Sequence, residues 1–555
     1  MVLLDPLASV APLVFAPFLV AIAVAGPAPP QESEDRPNFV LVMADDMGYS
    51  DIGCFGGEIR TPNLDRLAAD GIRFTNFYNT ARCCPTRAAL LTGRYSHQAG
   101  VGHMVDDRGS PGYRGELARD SATMAESLGA AGYATGMSGK WHVTHNLGKP
   151  RESVEPEVRT NWPVDRGFES FYGTIHGAGS FYDPVTLARG EDYIERDRED
   201  FHYTDRINEE AADYIRRHAA AGDDRPFLLY VAHTAPHWPL HARPEDIEAC
   251  AGRYDEGWDA MRETRHARMK AMGIVDADWP ITTRDGRVKP WDEVTHPEWQ
   301  ARRMEVYAAQ VEQLDRGIGL VVDALRETGA YENTVFVFIA DSGGCAEEIT
   351  ARWGSLSIPE KTHDGRPVAR GNDPKVMPGD DESYQSYGIP WANASNTPFR
   401  LYKHHVHEGG IASPCIVHWP AGIDARGELR TTPGHVIDLL PTFLDLAGAT
   451  PPKEIGGRPV ESVEGVSLAP AFVGGEVDRE AIYWEHEGNR AVRRGRWKLV
   501  SRHRGPWELY DLVEDRTELR NRAADEPARV VAMMAMYDAW AARCGVRPWP
   551  LKRSQ

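Results

Sequence analysis

From residue 38 onward, short apolar runs alternate with stretches of helical periodicity. Asn38-Phe39-Val40-Leu41-Val42-Met43-Ala44, Phe227-Leu228-Leu229-Tyr230-Val231-Ala232 and Thr334-Val335-Phe336-Val337-Phe338-Ile339-Ala340 are continuously apolar apart from their first residues. That is the pattern of strands buried on both faces, not of strands with one wet face. Runs of this length, separated by helical segments, predict an α/β fold with a mostly parallel sheet sandwiched by helices. Between the second and third runs, Met304, Tyr307, Val311, Leu314, Ile318, Val321 and Leu325 recur at i, i+3 and i+4. This predicts an amphipathic helix whose apolar stripe faces the core.

The pattern is interrupted twice, at about 243–297 and about 350–397. Both stretches read as loop-rich insertions, and loops of that length in a compact domain are usually functional or disordered. Beyond about residue 430 the texture changes. A helix is expected from His435. Short antiparallel strands are expected around Ile482-Tyr483-Trp484, Ala491-Val492-Arg493 and Trp497-Lys498-Leu499-Val500, and a closing helix around Met533–Trp540. The expected organisation is a large domain over 37–430 and a smaller α+β domain with an antiparallel sheet over 431–555. No internal repeat is visible.

Residues 6–25 are apolar and carry no charge, and Ala23-Val24-Ala25 has the A-x-A form that precedes signal cleavage. A signal peptide over 1–25 and a polar, Pro-rich linker over 26–36 are therefore expected. The protein is expected to be exported, periplasmic or secreted. The stretch before the apolar run lacks Lys and Arg and contains Asp5, so an uncleaved membrane helix is the alternative. No other segment approaches the roughly 20 apolar residues of a membrane span, so no stable membrane insertion is expected.

The 555 residues carry a net charge of −20. This argues against nucleic acid as a partner, because phosphate backbones require a basic face. It leaves room for an anionic small molecule in a locally positive pocket. There are seven cysteines and no C-x-x-C pair. That is too sparse for a disulfide scaffold and lacks the spacing of a zinc ribbon.

Two apolar runs end alike, in Asp45-Asp46-Met47-Gly48 and in Asp341-Ser342-Gly343-Gly344. Ligands in open α/β sheets sit beyond the carboxyl ends of strands. Carboxylates converging there repel unless a cation lies between them. Oxygen donors suit Ca²⁺ or Mg²⁺. A lone Asp at such a place is more simply a cap of the following turn, but a pair plus a third favours a metal.

A second cluster is the stretch ARCCPTRAALLTGR over 81–94. Pro85 fits the first turn of a helix, the residues after it are strong helix formers, and Gly93 fits the stop. Cys83 and Cys84 are thus placed at a helix N-terminus, where thiolates and anions are favoured. Inert buried thiols are the alternative.

Cys83-Cys84-Pro85-Thr86-Arg87-Ala88-Ala89-Leu90-Leu91-Thr92-Gly93-Arg94 resembles the signature of the formylglycine-dependent sulfatases, C-x-P-S/T/A-R-x-x-L-L-T-G-R. The spacing to Arg87 selects Cys83 as the residue to be oxidised. Gly132–His142 resembles the second signature, and Ala235-Pro236-His237-Trp238-Pro239-Leu240 resembles a further family segment. Asn396–Lys403, followed by Glu408-Gly409-Gly410, resembles the segment bearing the second family lysine. The resemblance runs from about 37 to about 525. It implies an alkaline-phosphatase-like fold, a sulfuric ester hydrolase of arylsulfatase type and one Ca²⁺ per chain.

By the same resemblance, Asp45, Asp46 and Asp341 hold the cation, with Cys83 in oxidised form. Ser342 also belongs to the set, although it stands where the family usually has Asn. Formylglycine made from Cys83 by a formylglycine-generating enzyme is hydrated and attacks sulfur, giving a covalent sulfate ester. Arg87 holds the attacking group, and His142 assists release of sulfate. Lys140 and Lys403 bind sulfate oxygens, and His237 protonates the leaving alcohol. The implied substrate is a small-molecule or glycan sulfate ester.

Most of the 20 histidines are structural or on the surface. His233 and His241 flank His237 at i±4, but Pro236 and Pro239 exclude the helix that a shared zinc face needs. His404, His405 and His407 lie near Lys403, either lining a pocket or in solvent. A phosphate-ester hydrolase of the same superfamily is the competing enzyme, although a two-zinc site would need more His and Asp ligands. An inactive relative that only binds sulfated ligands rests on Ser342 alone. Side-by-side turnover separates these readings. We expect an aryl sulfate to be hydrolysed faster than the matching aryl phosphate, and equal or faster phosphate turnover would sink the sulfatase assignment.

Overall fold

The computed structural model describes residues 36–145 and 161–551. The expected signal peptide and nearly all of the linker lie outside these residues. The expected apolar runs are strands Asn38–Ala44, Phe227–Ala232 and Thr334–Ala340. They lie side by side and parallel at the centre of an 11-stranded sheet. Ala134–Gly139 and Ser170–Thr174 extend the parallel array on one side. On the other side Ala412–His418 runs antiparallel between Thr334–Ala340 and Ile72–Tyr78. Glu428–Arg430 and Gly434–His435 pair with Ile72–Tyr78 at the sheet's edge.

Because side chains alternate along a strand, a doubly covered strand feeds two cores. Val40, Val42 and Ala44 enter one, and Phe39, Leu41 and Met43 enter the other. Helices Pro62–Asp70, Tyr203–Ala220 and Pro297–Glu327 cover the first face. Helices Cys83–Thr92, Met124–Ala130 and Leu439–Leu446 cover the second. The result is the three-layer α/β sandwich that the sequence predicts. Pro297–Glu327 is the expected amphipathic helix, although its burial extends well beyond the expected stripe.

The smaller antiparallel sheet also forms, from Ile482–His486, Asn489–Arg494, Trp497–Ser501 and Glu508–Asp511. Helix Pro527–Cys544 closes it, with Met533, Tyr537 and Trp540 buried. Two expectations need correction. The stretch 243–297 contains helices Pro244–Glu248 and Gly257–Ala271. Its many charges hide the second helix, which is anchored by Trp258 packed between Trp291 and Trp391, with ring centroids 4.7 and 5.3 Å away. The stretch 350–397 is irregular apart from a short parallel pairing of Ala369–Arg370 with Ser383–Tyr384, until helix Gly388–Ser395. The helix expected from His435 starts as a 3₁₀ turn over Val436–Asp438 before Leu439–Leu446.

A buried ionic network joins the two sheets. Glu408 accepts hydrogen bonds from Lys498 Nζ at 2.8 Å, Arg516 Nε at 2.7 Å and the Tyr78 hydroxyl at 3.1 Å. Lys498 also pairs with Glu518 at 2.9 Å. Burial opposes the Glu408 charge, but Lys498 and Arg516 together hold its carboxyl down at about 2. Removing one member of a buried pair leaves the other charge uncompensated, so we expect Glu408→Ala to lower stability by about 3–5 kcal/mol in urea unfolding at pH 7. Because the folded-state value is depressed, this stabilisation is present above the carboxyl's ordinary value of 4.5 and is lost as pH falls from there towards about 2. The variant should lack that component of acid sensitivity.

Candidate active site

Strand register assembles the site. Ala44 lies opposite Ala340, Met43 opposite Ala232, and Gly139 opposite Ala232. Four neighbouring parallel strands therefore end at one level. The next residues, Asp45, Asp341, His233 and Lys140, emerge along one edge. Ala412–His418 runs the other way, so the segment before it, which carries Lys403, reaches the same edge from the opposite direction.

Three buried carboxylates meet there. Lys140 Nζ pairs with Asp45 Oδ2. Lys403 Nζ donates to Asp46 Oδ2 at 2.7 Å. Arg87 donates to Asp341 Oδ2 at 2.9 Å and lies 3.8 Å from Asp45 Oδ2. Arg87 is fixed further by the carbonyls of Lys140 and His233, at 3.0 and 3.2 Å. Asp46 has φ +63, a strained value for a non-glycine residue, and its N–H donates to Asp341 Oδ1 at 3.1 Å. The Ser342 hydroxyl donates to Asp46 Oδ1 at 2.8 Å.

Compensation among these charges is incomplete. Asp45 Oδ1 is buried with no hydrogen-bond partner. Burial, and then the neighbouring Asp45, push the Asp341 carboxyl well above the usual carboxylate range. Burial opposes the Asp46 charge as well, but Lys403 and His237 hold that carboxyl low. Asp45, Asp46 and His237 present ligand atoms within 4.8 Å of one another. An orphaned oxygen among oxygen donors fits a hard divalent cation.

The helix expected at the twin cysteines spans Cys83–Thr92, and Gly93 ends it at φ +64. Thr86 Oγ1 donates to the Asp341 carbonyl at 2.7 Å, tying this helix to the end of a central strand. Hydrogen bonding with Cys84, then Lys140 and His142, hold the Cys83 thiol well below its usual range despite burial. His142, at φ +55, lies 3.3 Å from Cys84 Sγ, and burial holds its imidazole neutral, down at about 3. Cys84 thus has a neighbour that the sequence does not reveal. All seven cysteines are free and buried.

His237 Nδ1 faces the Trp238 carbonyl at 2.6 Å, and its Nε2 lies 3.3 Å from both Lys403 Nζ and Asp46 Oδ2. Burial lowers its pKa to about 4. No helix forms across 233–241, so His233 and His241 share no helical face. Every residue singled out for this edge is brought to it.

Sequence reasoning missed the wall of the cleft beside Lys403, a cavity of about 360 Å³. Its hub is Glu347, which accepts from Trp238 Nε1 at 2.8 Å and pairs with His404 at 3.1 Å and Arg82 at 3.3 Å. Lys403 Nζ lies 3.9 Å from Glu347 Oε2. Burial opposes its charge, but Lys403, Arg82 and His404 hold the carboxyl well below the usual range. His404 and His405 line this cleft, whereas His407 is fully buried. No spacing marks Glu347, because its partners come from distant segments.

The profile of the sulfatase family matches residues 37–449, and one described as N-sulphoglucosamine sulphohydrolase, C-terminal, matches 399–538. An arylsulfatase of Klebsiella aerogenes is 35% identical over 472 residues, covering 81% of this chain and 95% of its own. An uncharacterized sulfatase of Schizosaccharomyces pombe is 34% identical over 552 residues, covering 93% and 95%. Among solved structures, Ps i-CgsB in complex with k-i-k-neocarrahexaose superposes with a TM-score of 0.64 at 25% identity, covering 93% of this chain and 94% of its own.

Fold and matches together define a hydrolase of the alkaline phosphatase superfamily. The chain belongs to the sulfatase family, and it is a sulfuric ester hydrolase similar to the arylsulfatases. Glu347→Gln keeps the shape but removes the charge that positions Lys403. We expect a loss of about 10²-fold in kcat/KM on an aryl sulfate, with unchanged circular dichroism.

Proposed function

We propose that the chain hydrolyses sulfate esters through a formylglycine made from Cys83, with one Ca²⁺ held by Asp45, Asp46 and Asp341. The observation that carries this reading is the position of Cys83. It lies at a helix N-terminus, beside Lys140, His142 and Arg87 and against a buried carboxylate cluster with an orphaned oxygen. When present, the hydrated aldehyde supplies the nucleophilic oxygen and the cation polarises the sulfate.

The chain's own groups account for the rest. Arg87 locks Asp341 and Asp45 in place, keeping their oxygens together. Ser342 steadies Asp46 through its hydroxyl, and in this reading it stands beside the cation as a ligand or as the hydrogen-bonding neighbour of one. Lys140 and Lys403 carry positive charge to where sulfate oxygens would lie, stabilising charge as it develops. His142, kept neutral by burial, accepts a proton next to the residue at 83. His237 has its Nδ1–H turned to a carbonyl, so Nε2 carries the lone pair of the neutral ring; it must first take a proton, with Lys403 Nζ at 3.3 Å as the source, before passing one to the leaving alcohol.

The open cleft beside Lys403 admits the alcohol portion. Relatives named arylsulfatase and N-acetylgalactosamine-6-sulfatase support an aryl or glycan sulfate ester as substrate. Maturation would depend on a formylglycine-generating enzyme. The apolar stretch at 6–25 supports action after export, in the periplasm or outside the cell.

Mass spectrometry of the peptide carrying residue 83, from active protein made alongside the maturation enzyme, tests the reading. We expect an aldehyde in place of the thiol, together with loss of turnover in Cys83→Ala. An intact thiol in fully active protein would overturn it.

A further inference from the structure

Behind the cleft wall, which Glu487 lines, three metal-ligating side chains converge. His103 Nε2 lies 3.0 Å from Glu487 Oε1, and His486 Nε2 lies 3.8 Å from the same oxygen. All three residues present ligand atoms within 4.8 Å of one another. The two imidazoles are stacked, with centroids 5.6 Å apart and planes 15° from parallel.

His486 is the telling residue. It is fully buried, and neither ring nitrogen has a hydrogen-bond partner. A buried polar group left unpaired is costly, so an imidazole in this state needs an explanation. Burial holds its ring neutral, which is the form that binds metals.

The backbone points the same way. Glu487-Gly488 is a two-residue hairpin loop between Ile482–His486 and Asn489–Arg494, with His486 paired to Asn489. Both loop residues have positive φ, +52 and +78. Asn-Gly suits such a turn, and a glutamate in the left-handed region is disfavoured. The carboxylate so placed reaches His103 with one oxygen and His404, at 2.9 Å, with the other. Arg82, a cation of the same wall, pairs with Glu347 and bonds to His404. Two imidazoles and one carboxylate are left close together.

We propose that His103, His486 and Glu487 form a second metal site, for a borderline transition cation such as Zn²⁺ or Co²⁺. Two imidazole nitrogens and one carboxylate oxygen are donors that such ions favour, unlike the carboxylate-rich set at Asp45. Glu487 lines the same cleft as Lys403, so an ion held there would lie beside bound substrate or water. The ion would also staple the segment at His103 to the hairpin of the small sheet. Trp549, with its ring 4.8 Å from that of His103, covers the outer side.

The test uses the full chain, stripped with a chelator, saturated with Ca²⁺ and then titrated with Co²⁺. One Co²⁺ per chain should bind, with visible d–d absorption that Zn²⁺ abolishes. Asp45→Asn should retain this uptake, which separates the site from the carboxylate cluster. His103→Ala and Glu487→Gln should weaken it by more than about tenfold, since even outer-shell losses cost that much. Both variants avoid the buried His486, and their metal-free thermal unfolding reports whether they fold. No Co²⁺ uptake in the Ca²⁺-saturated protein, or uptake unchanged in the folded variants, would overturn the proposal.

Discussion

Like-charge repulsion among Asp45, Asp46 and Asp341 is the constraint around which the catalytic edge is built. Three acidic side chains are buried side by side, where water cannot screen them. The chain answers with three cations from three places: Arg87 from a helix, Lys140 from the end of a strand, and Lys403 from a segment that arrives from the far side of the sheet. In the proposed mechanism Lys140 and Lys403 are also the groups that meet the sulfate oxygens. Holding the carboxylates together and recognising the substrate would then be tasks for the same charges.

Much of this edge is legible in the amino-acid sequence. The central strands announce themselves by unbroken apolar runs, and the residues just past the end of a parallel strand must lie at the ligand edge. That logic alone brings Asp45, Asp46 and Asp341 together, and the helix start at Cys83 is readable from Pro85 and Gly93. Ala134–Gly139 is harder, because Gly136, Ser138 and Gly139 give it no apolar signature, although it delivers Lys140. Glu347, Arg82 and Glu487 are invisible for another reason. Each acts through partners from distant parts of the chain, and neither periodicity nor local spacing records such pairings. The helix Gly257–Ala271 escapes notice because its anchor is a tryptophan cluster contributed by three separate segments.

The small sheet does more than close the C-terminal end. Lys498, on one of its strands, and Arg516, just past its last strand, reach to Glu408, a few residues beyond Lys403. Arg516 also lies 4.9 Å over the ring of Phe399, at the start of the segment that carries Lys403. Position at the catalytic edge is therefore set partly by charges anchored in the other sheet. The hairpin of the small sheet supplies Glu487 and Asn489 to the cleft wall. The two sheets share one site, and neither completes it alone.

The reversed strand Ala412–His418 has a consequence in time. Asp46 and Lys403 are separated by 357 positions, so their pairing closes a very long loop. Contacts of such range form late, after the chain has met the entropy of closure. As the chain is made from its N-terminus, Asp45, Asp46 and Cys83 emerge long before Lys403 and the strand that docks it. Until then the acidic edge lacks its last counter-charge. Cys83 is only 2% exposed in the finished fold, and His404, in the late segment, packs on its neighbour Arg82. The order of synthesis thus opens a window on Cys83 that completed folding shuts.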